Sequence, residues 1–136
     1  ISISGVNNSG TFTYSNSIGD WTAQDGTASY AYAGDFNGTI TDNVLKLSTG
    51  SNALMLMPQT VPAGAEISIT YTATANSTNQ VTFNGTKKVA IGGVEWKKGS
   101  NICYKLILPT GAEAITYSTV VNPWGEEDSQ DKTTQP

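Results

Sequence analysis

The sequence predicts an all-β protein, an antiparallel sandwich of about seven to nine short strands, on three observations. Apolar residues recur at every second position in segment after segment, helical periodicity is nearly absent, and turn residues separate the alternating runs. No repeat or internal linker divides the chain, so residues 1–124 are expected to form a single domain.

The elements follow in order. Ile1 and Ile3 alternate with Ser2 and Ser4, and Phe12 and Tyr14 with Thr11 and Thr13. Tyr30 and Tyr32 alternate with Ala31 and Ala33 before a Gly34-Asp35 break. Residues 53–57 carry Leu54, Met55, Leu56 and Met57 without interruption, which suits a central strand covered on both faces and ended by Pro58. Residues 65–75 are the clearest half-buried strand, with Ile67, Ile69 and Tyr71 facing one way and Ser68, Thr70 and Thr72 the other.

Residues 80–83 and 86–91 read as a hairpin about Asn84-Gly85, because Asn-Gly accepts the positive φ angles of a type I′ turn. Residues 101–108 put Ile102, Tyr104, Leu106 and Leu108 on one face and Cys103, Lys105 and Ile107 on the other. After the turn chemistry of Pro109-Thr110-Gly111, residues 113–122 form the last strand, with Ile115, Tyr117 and Val121 inward. Residues 125–136 hold no aliphatic or aromatic side chain and are expected to be a disordered acidic and polar tail.

Composition then removes whole classes of chemistry. The 136 residues include no His, and all seven basic residues are Lys, against 11 acids and a net charge of −4. There is no imidazole base or metal ligand and no guanidinium clamp for phosphate or carboxylate. The isolated lysines lack the basic stripe that nucleic-acid affinity requires. Only 13% of residues are charged, whereas Ser, Thr and Asn make up roughly a third, well above ordinary usage. The polar surface is therefore built from hydroxyls and amides, as in many extracellular β-proteins. No apolar run approaches the ~18 residues of a membrane span, and any export signal is expected to have been removed before Ile1. Cys103 has no second Cys to pair with and reads as a buried, inert thiol.

Candidate chemistry is sparse. Glu126, Glu127, Asp128 and Asp131 read as a solvated acidic tail, since they lack the spacing of a calcium loop. Asp25-Gly26, Asp35 and Asp42 read as turn and Asx-capping residues, with a loop calcium site as the alternative. Lys97-Lys98 reads as a solvated turn. Asn7, Asn37, Asn76 and Asn84 each open an Asn-x-Ser/Thr sequon, as expected by chance in so Ser/Thr/Asn-rich a chain. Paired catalytic carboxylates would need two acids converging on one cleft, which spacing along the chain does not test and which so few acids outside the tail make unexpected; no metal ligand set, cofactor site or catalytic residue is assigned. Trp21, Trp96 and Trp124 with Tyr14, Tyr30 and Tyr32 are either core aromatics or a sugar-stacking platform, for which Trp21, Tyr30 and Tyr32 are the candidate glycan-binding residues.

Four motifs resemble, in order and approximate spacing, the fimbrillins, the type V pilins of Gram-negative gut and oral anaerobes. Leu54-Met55-Leu56-Met57-Pro58-Gln59-Thr60 leading to Ala65-Glu66-Ile67-Ser68-Ile69-Thr70-Tyr71 is similar to the family's central signature. Trp96-Lys97-Lys98-Gly99 before Cys103-Tyr104-Lys105-Leu106 resembles a second motif, and Ile115-Thr116-Tyr117 before Val120-Val121-Asn122-Pro123-Trp124 a third. The opening Ile1-Ser2-Ile3-Ser4-Gly5-Val6, with Gly10-Thr11-Phe12 after it, resembles the start of the family's C-terminal domain. The resemblance implies a transthyretin-like Greek-key β-sandwich. It further implies export as a lipoprotein precursor, an outer-membrane or fimbrial location at the cell surface, and polymerisation by exchange of a C-terminal strand. Residues 125–136 offer no alternating apolar donor strand, so the resemblance leaves two options: donation by the strand ending at Trp124, or a tip or accessory subunit.

The reading is thus a non-catalytic structural or adhesive subunit of a cell-surface fimbria, with no cofactor. Its partners would be other pilin subunits by strand addition or host or bacterial surface ligands. An extracellular carbohydrate-binding module is the alternative. The residues expected to matter are structural: Leu54, Leu56, Ile67, Ile69, Tyr71, Tyr104, Leu106, Ile115 and Tyr117 in the core, with Trp96 and Trp124 at strand ends.

Overall fold

The computed structural model describes residues 1–31, 44–45 and 53–123. Gly34-Asp35, Tyr32, Asp42, Trp124 and residues 125–136 lie outside them. The described residues form ten strands and no helix: β1 (Ser2–Val6), β2 (Ser9–Ser15), β3 (Ile18–Asp25), β4 (Ala28–Ala31), β5 (Gln59–Thr60), β6 (Glu66–Thr74), β7 (Val81–Ala90), β8 (Glu95–Trp96), β9 (Ser100–Ile107) and β10 (Thr116–Pro123). Every pairing among these ten strands is antiparallel. The largest sheet has the order β4-β1-β6-β7, and three two-stranded ribbons accompany it, β2-β3, β5-β8 and β9-β10.

The arrangement is sandwich-like because the sheet and the β9-β10 ribbon share one core. Val6 of β1, Ile67 of β6, and Val61, Ala65, Ile91 and Trp96 from the connections and β8 are buried together. Ile102, Tyr104 and Leu106 of β9 and Tyr117 of β10 pack against them from the facing layer. These β9 residues are alternate positions on one strand, as period-two patterning requires. Val121 faces the same way through its pairing with Ile102, but lies beyond the core and is 53% exposed.

A bulge in β1 brings two oddly spaced residues to the same core. Ile3 and Val6 are three apart and would fall on opposite faces of an unbroken strand, but the register with β4 slips between Ser4 and Val6. Gly5, with φ of +77°, makes the slip possible, and a Cβ there would lie 2.9 Å from the Gly64 carbonyl.

Two of the expected elements are placed differently. Residues 53–58 form no strand, and Met55 is 76% exposed while Leu54 and Leu56 are half-buried. A continuous apolar run is compatible with coverage on one side or both, and here only Leu56 reaches the core cluster. Pairing begins at Gln59, just after Pro58, whose missing N–H cannot enter a ladder.

Asn84-Gly85 is not the expected turn. The β7 strand runs straight through it, with Asn84 opposite Thr72 and Gly85 opposite Tyr71. The β6-β7 reversal occurs at residues 75–80, where Asn79 has φ of +54° and its N–H, like that of Thr78, donates to the Ala75 carbonyl. What Asn-Gly offers as a turn is outweighed by ring packing: Phe83 and Tyr71 lie with centroids 4.7 Å apart, and the Phe83 ring edge sits 3.6 Å from where a Gly85 Cβ would be. The glycine is a bare strand position covered by a diagonal aromatic.

Candidate functional site

The β2-β3 hairpin stands apart from the large sheet, and every β2 residue is exposed. Asn16 and Ser17, both with positive φ, close it as a two-residue loop between the paired Ser15 and Ile18. Phe12 faces Trp21 across the ribbon and Tyr14 faces Gly19, so three aromatic side chains and one bare glycine occupy a single face. The Phe12 and Trp21 rings are 5.4 Å apart and tilted by 55°. The Phe12 ring leans over Gly19, and the six-membered ring of Trp21 lies over Gly10.

The register slips once more at Gly10, where β3 carries both Ala23 and Gln24 between paired residues, and Ala23 takes φ of +50°. Trp21 and Gln24 are three apart, yet this bulge lets both line the same groove. Gln24 Nε2 donates to the Pro58 carbonyl at 2.7 Å, and from the opposite wall Lys98 Nζ donates to the Gly19 carbonyl at 2.7 Å. These two ties hold the hairpin against β5 and β8. Between them runs an open groove of 590 Å³ lined by Asp20, Trp21, Gln24, Pro58, Gln59, Thr60, Glu95, Trp96, Lys97 and Lys98.

The floor of the groove is fully occupied by its own structure. Gln59 is buried, and its carboxamide accepts from the Asn7 N–H and donates to the carbonyls of Asn7 and Met57. Trp96 is buried, and its indole N–H donates to the Tyr104 hydroxyl at 2.8 Å. Burial raises the Tyr104 pKa, the Trp96 hydrogen bond opposes that rise, and nearby Tyr117 adds to it. The polar atoms that face solvent belong to Asp20, Thr60, Glu95, Lys97 and Lys98. Glu95 and Lys97 are 3.9 Å apart and well exposed, a pairing that water and salt screen to little consequence.

The residues singled out from the sequence fall into separate places. Ile67, Ile69, Ile115 and Trp96 are buried, Leu56, Tyr104, Leu106 and Tyr117 are half-buried against the core, and Leu54 and Tyr71 are half-buried. The Tyr71 hydroxyl donates to the Pro109 carbonyl at 2.5 Å. Its pKa is raised, by desolvation first and the Glu113 charge second. Trp21 lines the groove, whereas Tyr30 packs on the core from β4. Trp21 and Tyr30 thus occupy different places, and Tyr32 lies outside the described residues; the ring beside Trp21 is that of Phe12, with Tyr14 on the same face. Their signal in the sequence was the hairpin register, readable from Asn16-Ser17 as a loop between alternating runs. Asp25 Oδ1 accepts from the Gly26 N–H at 2.7 Å, a turn contact. Among the described residues no three acids or Cys side chains converge on a point that could hold a metal ion.

A family model described as fimbrillin-like matches residues 1–124. The chain belongs to the fimbrillin-like family. No curated protein and no solved structure matched it. No helix among the described residues is long and apolar enough to cross a membrane.

Proposed function

We propose that this fimbrillin-like chain is a non-catalytic structural or adhesive subunit of a cell-surface fimbria, one that meets neighbouring subunits by strand addition. The observation that carries the reading is the family match over residues 1–124 of a chain built of short antiparallel strands. An added strand gains main-chain hydrogen bonds along a sheet edge and pockets for alternate side chains. Among the described strands the sheet ends at β7 and β4; β7 carries Lys87 and Lys88, the charged decoration that discourages uncontrolled pairing, while β4 is a short, uncharged strand of Ala, Ser and Tyr. The β4 edge is the better candidate for a neighbour's strand. A transthyretin-like Greek-key connectivity, an outer-membrane lipoprotein precursor and a Gram-negative anaerobe as source accompany the proposal, as does a domain spanning residues 1–124 followed by a polar tail.

The test is immunogold labelling of surface fibres in cells that express the gene, with a β4 variant, Ser29→Pro, beside the parent. Labelled fibres that are lost or shortened in Ser29→Pro are expected. Unlabelled fibres, or reproducible turnover of a glycan, ester or peptide by the purified chain, would overturn the reading.

A further inference from the structure

The groove beside the β2-β3 hairpin has a composition that the fimbrial role does not require. We propose that it binds an uncharged oligosaccharide, with one pyranose ring stacked on the indole of Trp21.

Three observations converge on that ligand class. Trp21 is 37% exposed at the groove wall, and its ring is held by Phe12 and by contact over Gly10 rather than left to rotate. Such a preset aromatic face receives the C–H face of a sugar without ordering cost on the protein side. Among the described residues the lining carries two carboxylates, Asp20 and Glu95, and two ammonium groups, Lys97 and Lys98, whose formal charges sum to zero. That balance favours a neutral ligand rich in hydroxyls over a sialylated or sulfated one. The volume of 590 Å³ lies within the range of small-ligand clefts, about 300–1,000 Å³.

The same groove is poorly suited to a peptide strand or a lipid. The Gly19 and Pro58 carbonyls, which a strand would need as acceptors, are already taken by Lys98 and Gln24. Among the described residues the remaining apolar lining, Trp96 and Pro58, is buried or half-buried and forms no apolar trough for an acyl chain. Asp20, Thr60, Glu95 and Lys97 are exposed at the rim, where sugar hydroxyls can both donate and accept. Phe12, 54% exposed, and Tyr14, 70% exposed, extend the aromatic face outward for a second or third sugar unit.

The experiment has two parts. A printed array of neutral, sialylated and sulfated glycans is probed with the parent chain, with Trp21→Ala and with Ile18→Ser, which alters the opposite face of the hairpin. Binding to neutral glycans that Trp21→Ala weakens about tenfold or more, and that Ile18→Ser leaves unchanged, is expected. The strongest neutral binder is then titrated to millimolar concentration into the ¹⁵N-labelled parent chain while the indole N–H resonance of Trp21, assigned with Trp21→Phe, is followed. That reading needs no destabilised variant, and a saturable shift at Trp21 is expected.

A blank array overturns the proposal, as does binding confined to charged glycans, binding indifferent to Trp21→Ala, or a Trp21 resonance that does not move. The inference stands apart from the fimbrial reading. Labelled fibres with a blank array would remove the glycan alone, and neutral-glycan binding without fibres would remove the fimbria alone.

Discussion

The carboxamide of Gln59 pairs with the backbone of Asn7 as one strand residue pairs with another. Its Oε1 accepts the Asn7 N–H at 2.9 Å, its Nε2 donates to the Asn7 carbonyl at 3.0 Å, and a further bond reaches the Met57 carbonyl at 3.1 Å. The side chain thereby ties the end of β1 to β5 across 52 residues of sequence. It also lies beneath the groove, linking the core to the surface on which Trp21 stands.

Gln59→Leu should therefore destabilise the chain by about 1–3 kcal/mol, since it strands buried backbone groups without partners. Gln59→Glu should be worse at neutral pH, because a carboxylate there would face two carbonyls with nothing to donate. Protonation restores a donor, so urea midpoints of Gln59→Glu should move toward the parent's as pH falls from 7 to 4. A midpoint gap that stays constant with pH would contradict this pairing.

Burial separates core positions from their neighbours in sequence. Ile67→Ala and Ile91→Ala should cost ~2–5 kcal/mol, whereas Met55→Ala, at an exposed position, should stay within about 0.5 kcal/mol. Leu56→Ala, half-buried, should fall between them. Denaturant titration of the four variants checks the order, and a large loss at Met55 would restore a central strand over residues 53–57.

The β6-β7 reversal can be located by insertion. One Gly between Ser77 and Thr78 lengthens a turn and should cost about 1 kcal/mol or less. One Gly between Asn84 and Gly85 flips Phe83 off Tyr71 and should cost about 2 kcal/mol or more. Thermal melts showing the reverse ranking would return the turn to Asn84-Gly85.

Alkaline stability should report on two hydroxyls. Tyr104 and Tyr71 both hold their protons more tightly in the folded chain than in the unfolded one. Their contribution is thus complete below the ordinary tyrosine pKa of about 10 and is lost as pH rises through the folded values. Trp96→Phe removes the donor that stabilises the Tyr104 phenolate, so it should raise the Tyr104 pKa further while costing about 1 kcal/mol near neutral pH. Ultraviolet titration of tyrosinate in the parent, Trp96→Phe and Tyr104→Phe checks both signs.

The hairpin should loosen independently of the core. Gln24→Ala breaks the tie to Pro58, and hydrogen exchange in β2 and β3 should accelerate by about tenfold, with β6 and β7 unchanged. Uniform acceleration through all strands would mean that the hairpin and sheet open as one unit.

Alternation by itself determined the fold class and the inward faces of β6 and β9, because a two-residue period states which side of a strand is apolar whatever lies opposite. It marked Ile67 and Ile69 as sharing one face of β6, and Tyr104 and Leu106 one face of β9. What it could not express is an interruption of the period. The bulges at Gly5 and Gly10 bring Ile3 with Val6, and Trp21 with Gln24, to shared faces, and only the pairing of strands distant in sequence reveals them. The same holds for Asn84-Gly85, where a local turn preference yielded to Phe83 packing on Tyr71, and for residues 53–57, where apolar composition does not say whether one face or two will be covered. The sequence left Trp21 between core packing and an exposed platform, and tertiary structure decided both its place and its companions: Tyr30 turned to the core, and Phe12 and Tyr14 came to the face of Trp21 through register. Local preferences amount to about 1 kcal/mol per residue, and the burial of a single large side chain equals or exceeds that.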